Sequence, residues 1–315
     1  MARVVVTGGA GFIGSHLCDA LLARGDEVVA VDNFSTGRRA NLAHLTGRPG
    51  FLLVEADVVH DLPVSGAVDA VLHFASPASP PEYLAMPLET LDVSSVGTRR
   101  ALDLAAAHGA RFLLASKSEI YGDPTVHPQP ESYCGNVDPM GPRAVYDEAK
   151  RFAETLTATY RRVRGVDTAI VRIFNTYGPR LRPADGRVVS NFLAQVLEGA
   201  PLTVYGGSEQ TRSFCFVDDL VAGILALLGS AVGDPVNLGN PEEVTMLELA
   251  DIVRTLAGAD VELVFTPLPT GDPARRRPDI TRARELLSWE PTVALRAGLT
   301  RTLDWYVQER ADGRA

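Results

Sequence analysis

Apolar runs and amphipathic segments alternate through the first half of the chain. The apolar runs have the length of strands, and six strands are predicted: Arg3–Thr7, Glu27–Asp32, Phe51–Glu55, Ala70–His73, Phe112–Ser116 and Thr168–Phe174. Helical patterns predict helices from Phe12, near Val93–His108 and from about Pro142 to Arg164. This alternation predicts an α/β fold of the Rossmann type, with a doubly wound parallel sheet.

The pattern changes after Gly178. Prolines at positions 179, 183, 201, 235 and 241, and a stretch rich in proline and arginine from Pro267 to Pro278, divide the second half into short elements. This indicates a smaller C-terminal lobe, interleaved with the sheet domain because no flexible linker separates the two. We expect residues 1–178 to form the sheet domain, with residues 213–240 packing back on it. Residues 179–212 and 241–315 are expected to form the small lobe.

Charge limits the partners of this chain. A formal net charge of −9 over 315 residues is unfavourable for a broad surface that binds a phosphate backbone. Nucleic acid is therefore not an expected partner. Basic groups that bind phosphate should instead converge on a small ligand.

Cysteine spacing and hydropathy indicate a cytoplasmic protein. Cys18, Cys134 and Cys215 are far apart, form no CxxC pair and fit neither a zinc site nor a set of disulfides. No apolar stretch approaches the ~20 residues of a membrane helix, so no membrane is expected as a partner. The apolar start runs at once into a glycine loop, unlike a signal peptide.

A glycine-rich loop, TGGAGFIG at positions 7–14, follows the first predicted strand directly. Its glycines at 8, 11 and 14 let the backbone turn tightly, approach a pyrophosphate and pack a helix on a strand. The second strand ends in Asp32, whose carboxylate can accept from both ribose hydroxyls and would repel a 2′-phosphate. The cofactor is therefore predicted to be NAD rather than NADP. The expected cofactor-binding residues are Gly8, Gly11, Phe12, Ile13, Gly14, Asp32, Asn33, Asp57 and Lys150.

Tyr146 and Lys150 stand four residues apart in a predicted helix, so their side chains lie on one face. A nearby ammonium group favours the phenolate form of a tyrosine, which then acts as a base. Such a spacing often arises by chance as a surface pair. Here, however, the chain contains only two lysines, and the other, Lys117, follows the fifth predicted strand. Both lysines are thus expected at the carboxyl edge of the sheet, where doubly wound folds bind ligands.

With these motifs, the chain resembles the extended short-chain dehydrogenases, through the glycine loop, the Tyr146/Lys150 pair and the segment RIFNTYGPR at 172–180. More narrowly, it resembles the UDP-glucuronic acid decarboxylases, or UDP-xylose synthases, from Val4 to about Trp305. The segments that carry this resemblance are HFASPASPP at 73–81, DGRVVSNF at 185–192, LTVYG at 202–206 and QTRSF at 210–214.

The resemblance implies a role for each catalytic residue. Tyr146 would take the proton from the sugar 4-hydroxyl as hydride leaves C4 for NAD, and Lys150 would tune Tyr146. The 4-ketone then lets the C6 carboxylate leave as CO2, and hydride return gives UDP-xylose. Glu119 would lie near the reacting carbons as a proton donor or base, although a surface carboxylate at a strand end is the alternative. Sugar dehydratases usually have an Asp-Glu pair where this chain has Ser118-Glu119, which favours decarboxylation.

The resemblance also implies where the UDP-sugar binds. Arg187 would lie near the sugar, and residues 1–178 and the small lobe would bind NAD and the nucleotide sugar, respectively. The residues expected to hold uracil, ribose and pyrophosphate are Asn175, Asn191, Thr203, Tyr205, Arg212 and Arg276. Arginine suits a diphosphate because its planar fork donates in pairs.

The chain departs from the family pattern at two places. Lys117 stands where the family commonly has Thr or Ser, and Asp92-Val93-Ser94 stands where it usually has Lys-Thr-Asn. One hypothesis is a relocated charge: Lys117 pairs with Asp92 and contacts the substrate carboxylate or the 4-ketone, which makes it a fourth catalytic candidate. A mixture of UDP-4-keto-pentose and UDP-xylose is then expected. The alternative is drift in a degenerate enzyme.

Two other functions stay open at this point. One is a UDP-glucuronic acid 4-epimerase or another nucleotide-sugar epimerase, which would keep the carboxylate. The other is a non-catalytic NAD-binding regulatory protein. A homodimer is expected in each case, with Leu102–Ala107 and Phe152–Tyr160 as the candidate contact face, unless these segments simply pack on the sheet.

Overall fold

The computed structural model of the protein describes residues 1–206, 210–268, 273 and 275–313. Its strands are β1 (Arg3–Thr7), β2 (Glu27–Asp32), β3 (Phe51–Glu55), β4 (Ala70–His73), β5 (Arg111–Lys117), β6 (Thr168–Ile173), β7 (Thr176–Tyr177), β8 (Leu202–Tyr205), β9 (Thr211–Ser213), β10 (Cys215–Phe216), β11 (Val236–Leu238), β12 (Glu243–Thr245), β13 (Leu263–Thr266) and β14 (Arg275–Arg276). Its α-helices are α1 (Phe12–Ala23), α2 (Pro80–Ala85), α3 (Pro87–Asp92), α4 (Thr98–His108), α5 (Ala144–Arg164), α6 (Val188–Glu198), α7 (Val217–Leu228), α8 (Met246–Ala257), α9 (Thr281–Leu287) and α10 (Leu295–Ala311).

Seven strands form one parallel sheet in the order β11-β6-β5-β4-β1-β2-β3. The predicted Rossmann-type fold class is confirmed. Because helices cover both faces, a central strand such as β1 is apolar along its length, and Val4, Val5 and Val6 are fully buried. The strand order reverses between β1 and β4, and a ligand crevice opens at the carboxyl ends of the strands on either side of such a point.

The six predicted strands and three predicted helices are present; four strands have the predicted bounds, and the other bounds shift by one or two residues except at the start of the helix near Val93. The strand predicted to end at Phe174 ends at Ile173, and the helix predicted from Pro142 begins at Ala144. The helix predicted near Val93 begins as a π-helical turn, Val93–Gly97, before α4. Gly97 packs closely on Val58 there, since a Cβ would lie 2.9 Å from a Val58 methyl.

The seventh strand, β11, comes from the second half of the chain and pairs with β6. It follows α7, which packs on α1. The other strands of the second half form small sheets: β12-β9-β14, β13-β8 and β10 with β7. The capping box of Thr245 and Glu248 fixes the start of α8, which packs on α6 and α10. Residues 269–272 and 274 of the Pro/Arg-rich stretch lie outside the described residues.

Among the described residues, no helix has both the length and the apolar character needed to cross a bilayer. Cys18, Cys134 and Cys215 are free thiols, and Cys18 and Cys215 are buried. In the segment Leu102–Ala107, Leu102 and Ala105 are fully buried in the core, so this part of α4 packs on the sheet as in the alternative interpretation.

Candidate active site

One long cleft runs along the carboxyl ends of the central strands, and the glycine loop lies at its middle. We call its two parts the cofactor half, which encloses about 920 Å³, and the reaction half, which encloses about 850 Å³. Gly8, Gly11 and Phe74 line both halves. The cofactor half is lined by Asp32 and Asp57. The reaction half is lined by Tyr146, Arg187 and both lysines of the chain.

The glycine loop brings the backbone close to this cleft. Gly8 has φ +69°, and a Cβ there would lie 2.7 Å from the Ala75 backbone nitrogen. A Cβ on Gly14 would lie 2.1 Å from the Gly8 carbonyl oxygen, so only glycine lets α1 pack on the loop. Helix α1 begins after Gly11, which has no side chain to cap it. The first-turn amides, those of Phe12, Ile13 and Gly14, therefore point toward an anion in the cleft.

Asp32, at the end of β2, is the carboxylate of the cofactor half. Its two oxygens accept from the backbone amides of Ala10 at 2.9 Å and Phe34 at 2.8 Å. Burial raises the pKa of Asp32 above its ordinary value, against these two hydrogen bonds. Asn33 donates to Asp57 at 3.0 Å on the same wall. A buried carboxylate beside open helix-N-terminal amides fits the ribose and pyrophosphate of NAD.

Tyr146 and Lys150 occupy the first two turns of α5, and both are buried in the reaction half. The Tyr146 ring stacks on Tyr83 at 4.8 Å, with 10° between the ring planes. Lys150 Nζ lies 5.7 Å from the Tyr146 ring centroid and donates to the Ala115 carbonyl at 3.2 Å. This contact with β5 fixes the ammonium group beside the tyrosine.

The electrostatics of this pair are dominated by burial. Burial, followed by the charge of Glu119, raises the pKa of Tyr146 well above its ordinary value, and the nearby Arg187 opposes this shift. Burial, followed by the charge of Lys117, lowers the pKa of Lys150 to about 7. The phenol is therefore the stable form of Tyr146 in the free protein, and Lys150 is poised to change charge near neutral pH.

Glu119 lies in the 3₁₀ turn that follows β5 and is buried rather than on the surface. It accepts from Arg276 Nη1 at 2.9 Å and from Ser118 Oγ at 3.1 Å. Burial opposes its ionisation, but the charges of Arg276, Lys117 and Arg143 lower its pKa to about 2. Glu119 is therefore a carboxylate at neutral pH, so it can act as a base and holds no proton to donate.

Lys117, the last residue of β5, lines the reaction half with Tyr146 and Lys150. Burial lowers its pKa to about 8; Glu119 and Asp185 are the carboxylates that oppose this shift. The expected pairing with Asp92 is wrong, because Asp92 is exposed at the end of α3 and lines the cofactor half.

Arg187 is held in the reaction half by a tight turn before α6. Asp185 forms an ion pair with Arg187 at 3.3 Å and accepts from Ser190 Oγ at 2.6 Å. Asn191 accepts from the Gly186 amide at 3.2 Å, so its carboxamide helps to hold this turn. Gly186 has φ +96°, and a Cβ there would lie 2.6 Å from the Pro81 ring, so the DGRVVSNF and HFASPASPP segments pack on each other.

The other expected substrate residues lie on the small-lobe strands and the loop before β7. Asn175 precedes β7, Thr203 accepts from Gln195 at 3.0 Å, and Tyr205 is exposed. Arg212 and Arg276 are register partners on β9 and β14. Arg212 donates to the Pro273 carbonyl at 2.6 Å, whereas Arg276 extends to Glu119 at the reaction half.

Three buried residues at the site were not among the sequence candidates. Tyr83 stacks on Tyr146, Asp185 orients Arg187, and Asp147 is buried next to Tyr146 on α5. Adjacency to Tyr146 was a signal for Asp147. Tyr83 and Asp185 carry no such signal, because only the fold brings their segments to α5 and β5.

Known proteins share this architecture and sequence. A sequence model of the NAD dependent epimerase/dehydratase family matches residues 4–239. The chain is 52% identical over 307 residues to a UDP-glucuronic acid decarboxylase 1 from Danio rerio, covering 98% of this chain and 73% of the relative. It is 56% identical over 298 residues to UDP-glucuronic acid decarboxylase 4 from Arabidopsis thaliana, covering 94% of this chain and 67% of that one. The chain belongs to the UDP-glucuronic acid decarboxylase family.

The decarboxylase family thus lies within a broader structural group. A solved UDP-glucuronic acid 4-epimerase from Bacillus cereus, in complex with UDP-glucuronic acid and NAD, superposes with a TM-score of 0.86. The two chains are 28% identical, and the superposition covers 97% of this chain and 99% of the epimerase chain. Decarboxylase and epimerase therefore share one fold, and side chains in the reaction half must decide between the two reactions.

Proposed function

We propose that this chain oxidises UDP-glucuronic acid at C4 with NAD and removes its C6 carboxylate as CO2. The observation that carries the proposal is that Tyr146 and Lys150 line one cleft and that the charge of the ionised Glu119 acts on both, in a chain more than half identical to UDP-glucuronic acid decarboxylases. When bound, NAD accepts a hydride from C4 of the sugar and returns it to the 4-ketone.

Each side chain of the reaction half has a task in this reaction. Tyr146 takes the proton of the 4-hydroxyl and later gives it back to O4. Lys150, fixed by the Ala115 carbonyl, favours the phenolate when it is charged. The 4-ketone makes the substrate a β-keto acid, so the C5–C6 bond can break with its electron pair moving into the ketone. Glu119, held by Arg276, faces this chemistry as a fixed negative charge.

We assign the nucleotide to the small lobe and NAD to residues 1–178. The support is that Arg182, Asp185 and Arg187, from residues 179–212, line the reaction half, whereas Asp32 lines the cofactor half. Residues 213–240 complete the sheet domain through β11, which pairs with β6. The two lobes of this assignment therefore meet at the reaction half.

Lys117 is proposed to contact the substrate carboxylate or the 4-ketone oxygen and to change the product ratio. It lines the cleft with Tyr146 and Lys150, and its charge lowers the pKa of Lys150. A partly neutral Lys150 supports Tyr146 less well during reduction of the ketone. UDP-4-keto-pentose is then released together with UDP-xylose.

A homodimer is proposed through the outer faces of α3 and α5, which contact each other. Leu88 on α3 is 70% exposed and Phe152 on α5 is 49% exposed. Exposed apolar side chains on two adjacent helices are typical of a protein–protein contact. We also propose a cytoplasmic location, supported by the three free cysteines.

The test is mass spectrometry of the nucleotide sugars formed from UDP-glucuronic acid with added NAD, alongside the absorbance of NADH. Loss of CO2 is the expected result. A product of unchanged mass with an inverted C4 would instead establish the epimerase, and an unchanged substrate with cofactor bound would establish a non-catalytic NAD-binding protein.

A further inference from the structure

A second cavity lies beside the Glu119–Arg276 ion pair, outside the substrate cleft. It encloses about 710 Å³, and its walls include Arg143, Asp147 and Arg276. Asn136 and Asp138 form its exposed rim, so solvent reaches it. Of the described residues, none lines both this cavity and the reaction half. Arg276 therefore connects a solvent-facing cavity to Glu119, which accepts from it.

Two buried polar atoms on the wall of this cavity have no hydrogen-bond partner among the described residues: Asp147 Oδ1 and Arg276 Nε. The two residues are only 7% and 5% exposed. A buried polar atom without a partner destabilises the protein by about 1–3 kcal/mol. One atom accepts and the other donates, so one water admitted between them would satisfy both.

The proposed reaction, on which this inference rests, consumes one proton per turnover. A carboxylate leaves as CO2, and the C5–C6 electron pair remains on the sugar as an enolate, so C5 must gain a proton. The proton that Tyr146 removes from O4 returns to O4. Glu119 is ionised and has none to give. The proton for C5 must therefore enter the buried site from solvent.

We propose that Asp147 and the cavity beside it form the proton-entry route for decarboxylation. The Asp147 carboxyl releases its proton to water at Arg276 and Glu119, this water protonates C5 of the enolate, and Asp147 takes a new proton from solvent through the cavity. Asp147 acts through water and not by touching the sugar, so it is a positioning residue for the proton.

The charge environment suits this task. Burial and the neighbouring charge of Glu119 raise the pKa of Asp147 to about 7, against the charges of Arg143 and Arg276. The titratable and charged groups that face Asp147 are Glu119, Arg143, Arg276, Glu148, Tyr83 and Tyr146. A carboxyl group that is partly protonated at neutral pH can both donate a proton and regain one.

The test compares wild type with Asp147→Asn, which keeps the shape of the side chain but holds no exchangeable acid proton. With UDP-glucuronic acid labelled at C6, rapid quenching follows NADH formation, labelled CO2 and UDP-xylose separately. We expect the variant to oxidise C4 and release CO2 in a first burst. Its steady turnover is expected to fall on the order of 100-fold. Acid quenching should recover UDP-4-keto-pentose from the trapped enolate.

The pH profile provides a second readout that a packing role would not change. A proton donor must be protonated, so the wild-type rate of the step after CO2 release should fall as pH rises through about 7, the pKa of Asp147. The Asp147→Asn variant should lack this limb. Asp147→Glu keeps a carboxyl group and should restore both the limb and most of the rate.

The matched control is Glu148→Gln, which removes one negative charge from the next residue of α5. Glu148 is partly exposed and pairs with Arg151 at 3.6 Å. The control should leave the burst and the rate intact and keep the pH limb, moved slightly to lower pH because the charge of Glu148 is the smallest of the named causes that raise the pKa of Asp147. Unchanged kinetics in Asp147→Asn, or loss of the NADH phase in both Asp147 variants, would overturn the proton route while the wild type still released CO2. A wild type that releases no CO2 would overturn the proposed function and the route with it.

Discussion

Lys117 places a second ammonium group in a cleft that already holds Lys150. Burial is the main cause that lowers the pKa of both amines, and the charge of Lys117 lowers that of Lys150 further because like charges repel at short range in a poorly solvated site. Glu119 partly compensates for both charges. The balance among these three groups decides how well Tyr146 is supported during the two proton transfers.

Replacing Lys117 with threonine should therefore change the products. Lys117→Thr removes the repulsion that adds to burial in lowering the pKa of Lys150, so Lys150 is charged in a larger fraction of molecules at neutral pH and supports Tyr146 better during ketone reduction. We expect the fraction of UDP-4-keto-pentose to fall and UDP-xylose to predominate, as measured by NMR of the product mixture with bound NADH followed by absorbance. An unchanged rate and product ratio would show that Lys117 does not act on the reaction.

The same substitution should alter stability in a manner that depends on pH. The folded-state pKa of Lys117 is about 8, below its ordinary value of 10.5, so the folded protein disfavours the ammonium form. Lys117→Thr should raise the free energy of unfolding at pH 7 by about 1–3 kcal/mol. Between pH 8 and 10.5 Lys117 has lost its proton in the folded wild type but still holds it in the unfolded chain, so the wild type becomes more stable as pH rises. The stability advantage of Lys117→Thr over the wild type should therefore shrink in this range. Thermal unfolding at several pH values checks this; an advantage that grows with pH would contradict it.

At the scale of elements, the loop between β1 and α1 combines a local signal with a tertiary contact. Gly14 lies in the first turn of α1, where its Cα faces the Gly8 carbonyl. The absence of a side chain lets the helix N-terminus reach the cleft. NAD binding and the packing of α1 on the loop therefore both depend on the close contact between Gly14 and the Gly8 carbonyl.

Gly14→Ala should weaken both the binding of NAD and the packing of α1 on the glycine loop. The added methyl would lie 2.1 Å from the Gly8 carbonyl oxygen, so the loop must shift. We expect a stability loss of about 1–3 kcal/mol and weaker NAD binding, measured by thermal unfolding with and without NAD and by calorimetric titration. Gly229→Ala is the control, because its nearest neighbour is at 3.5 Å and its φ is −82°. Unchanged NAD affinity in Gly14→Ala would contradict this account of the loop.

At the scale of the whole molecule, the apolar faces of α3 and α5 lie away from the substrate cleft and toward solvent in a single chain. Phe152 and Leu88 belong to these faces. Burying such side chains against a second copy stabilises a dimer through the hydrophobic effect. Because α5 also carries Tyr146 and Lys150, association would stiffen the helix that positions the catalytic pair.

Phe152→Glu should therefore convert a dimer into monomers, since a charge would be buried in the contact. Sedimentation velocity measures this directly. Val307→Glu is the control: Val307 is 49% exposed, as is Phe152, and lies on α10, outside the two helices of the proposed contact. A wild type that is monomeric at micromolar concentration, or a Phe152→Glu protein that stays dimeric, would refute this interface.

The order of strands and helices in the sheet domain could be predicted from the chain because periodicity and turn residues act locally. Strand β11 could not, since Val236–Leu238 is too short to show a period, and its place beside β6 is set by tertiary packing. The same holds for the first turn of the helix near Val93, where the π-helical turn interrupts the regular pattern.

The sequence by itself determined the glycine loop after β1, the acidic end of β2 and the Tyr146/Lys150 spacing, because each depends on residues close together along one element. Tertiary structure alone decided the partners and charges of the site. Glu119 and Arg276 are 157 positions apart along the chain, and Tyr83 on α2 stacks on Tyr146 on α5. Burial then set the pKa directions of Lys117, Lys150 and Asp147, since the charge of a group depends on the solvent and neighbours that the fold leaves around it.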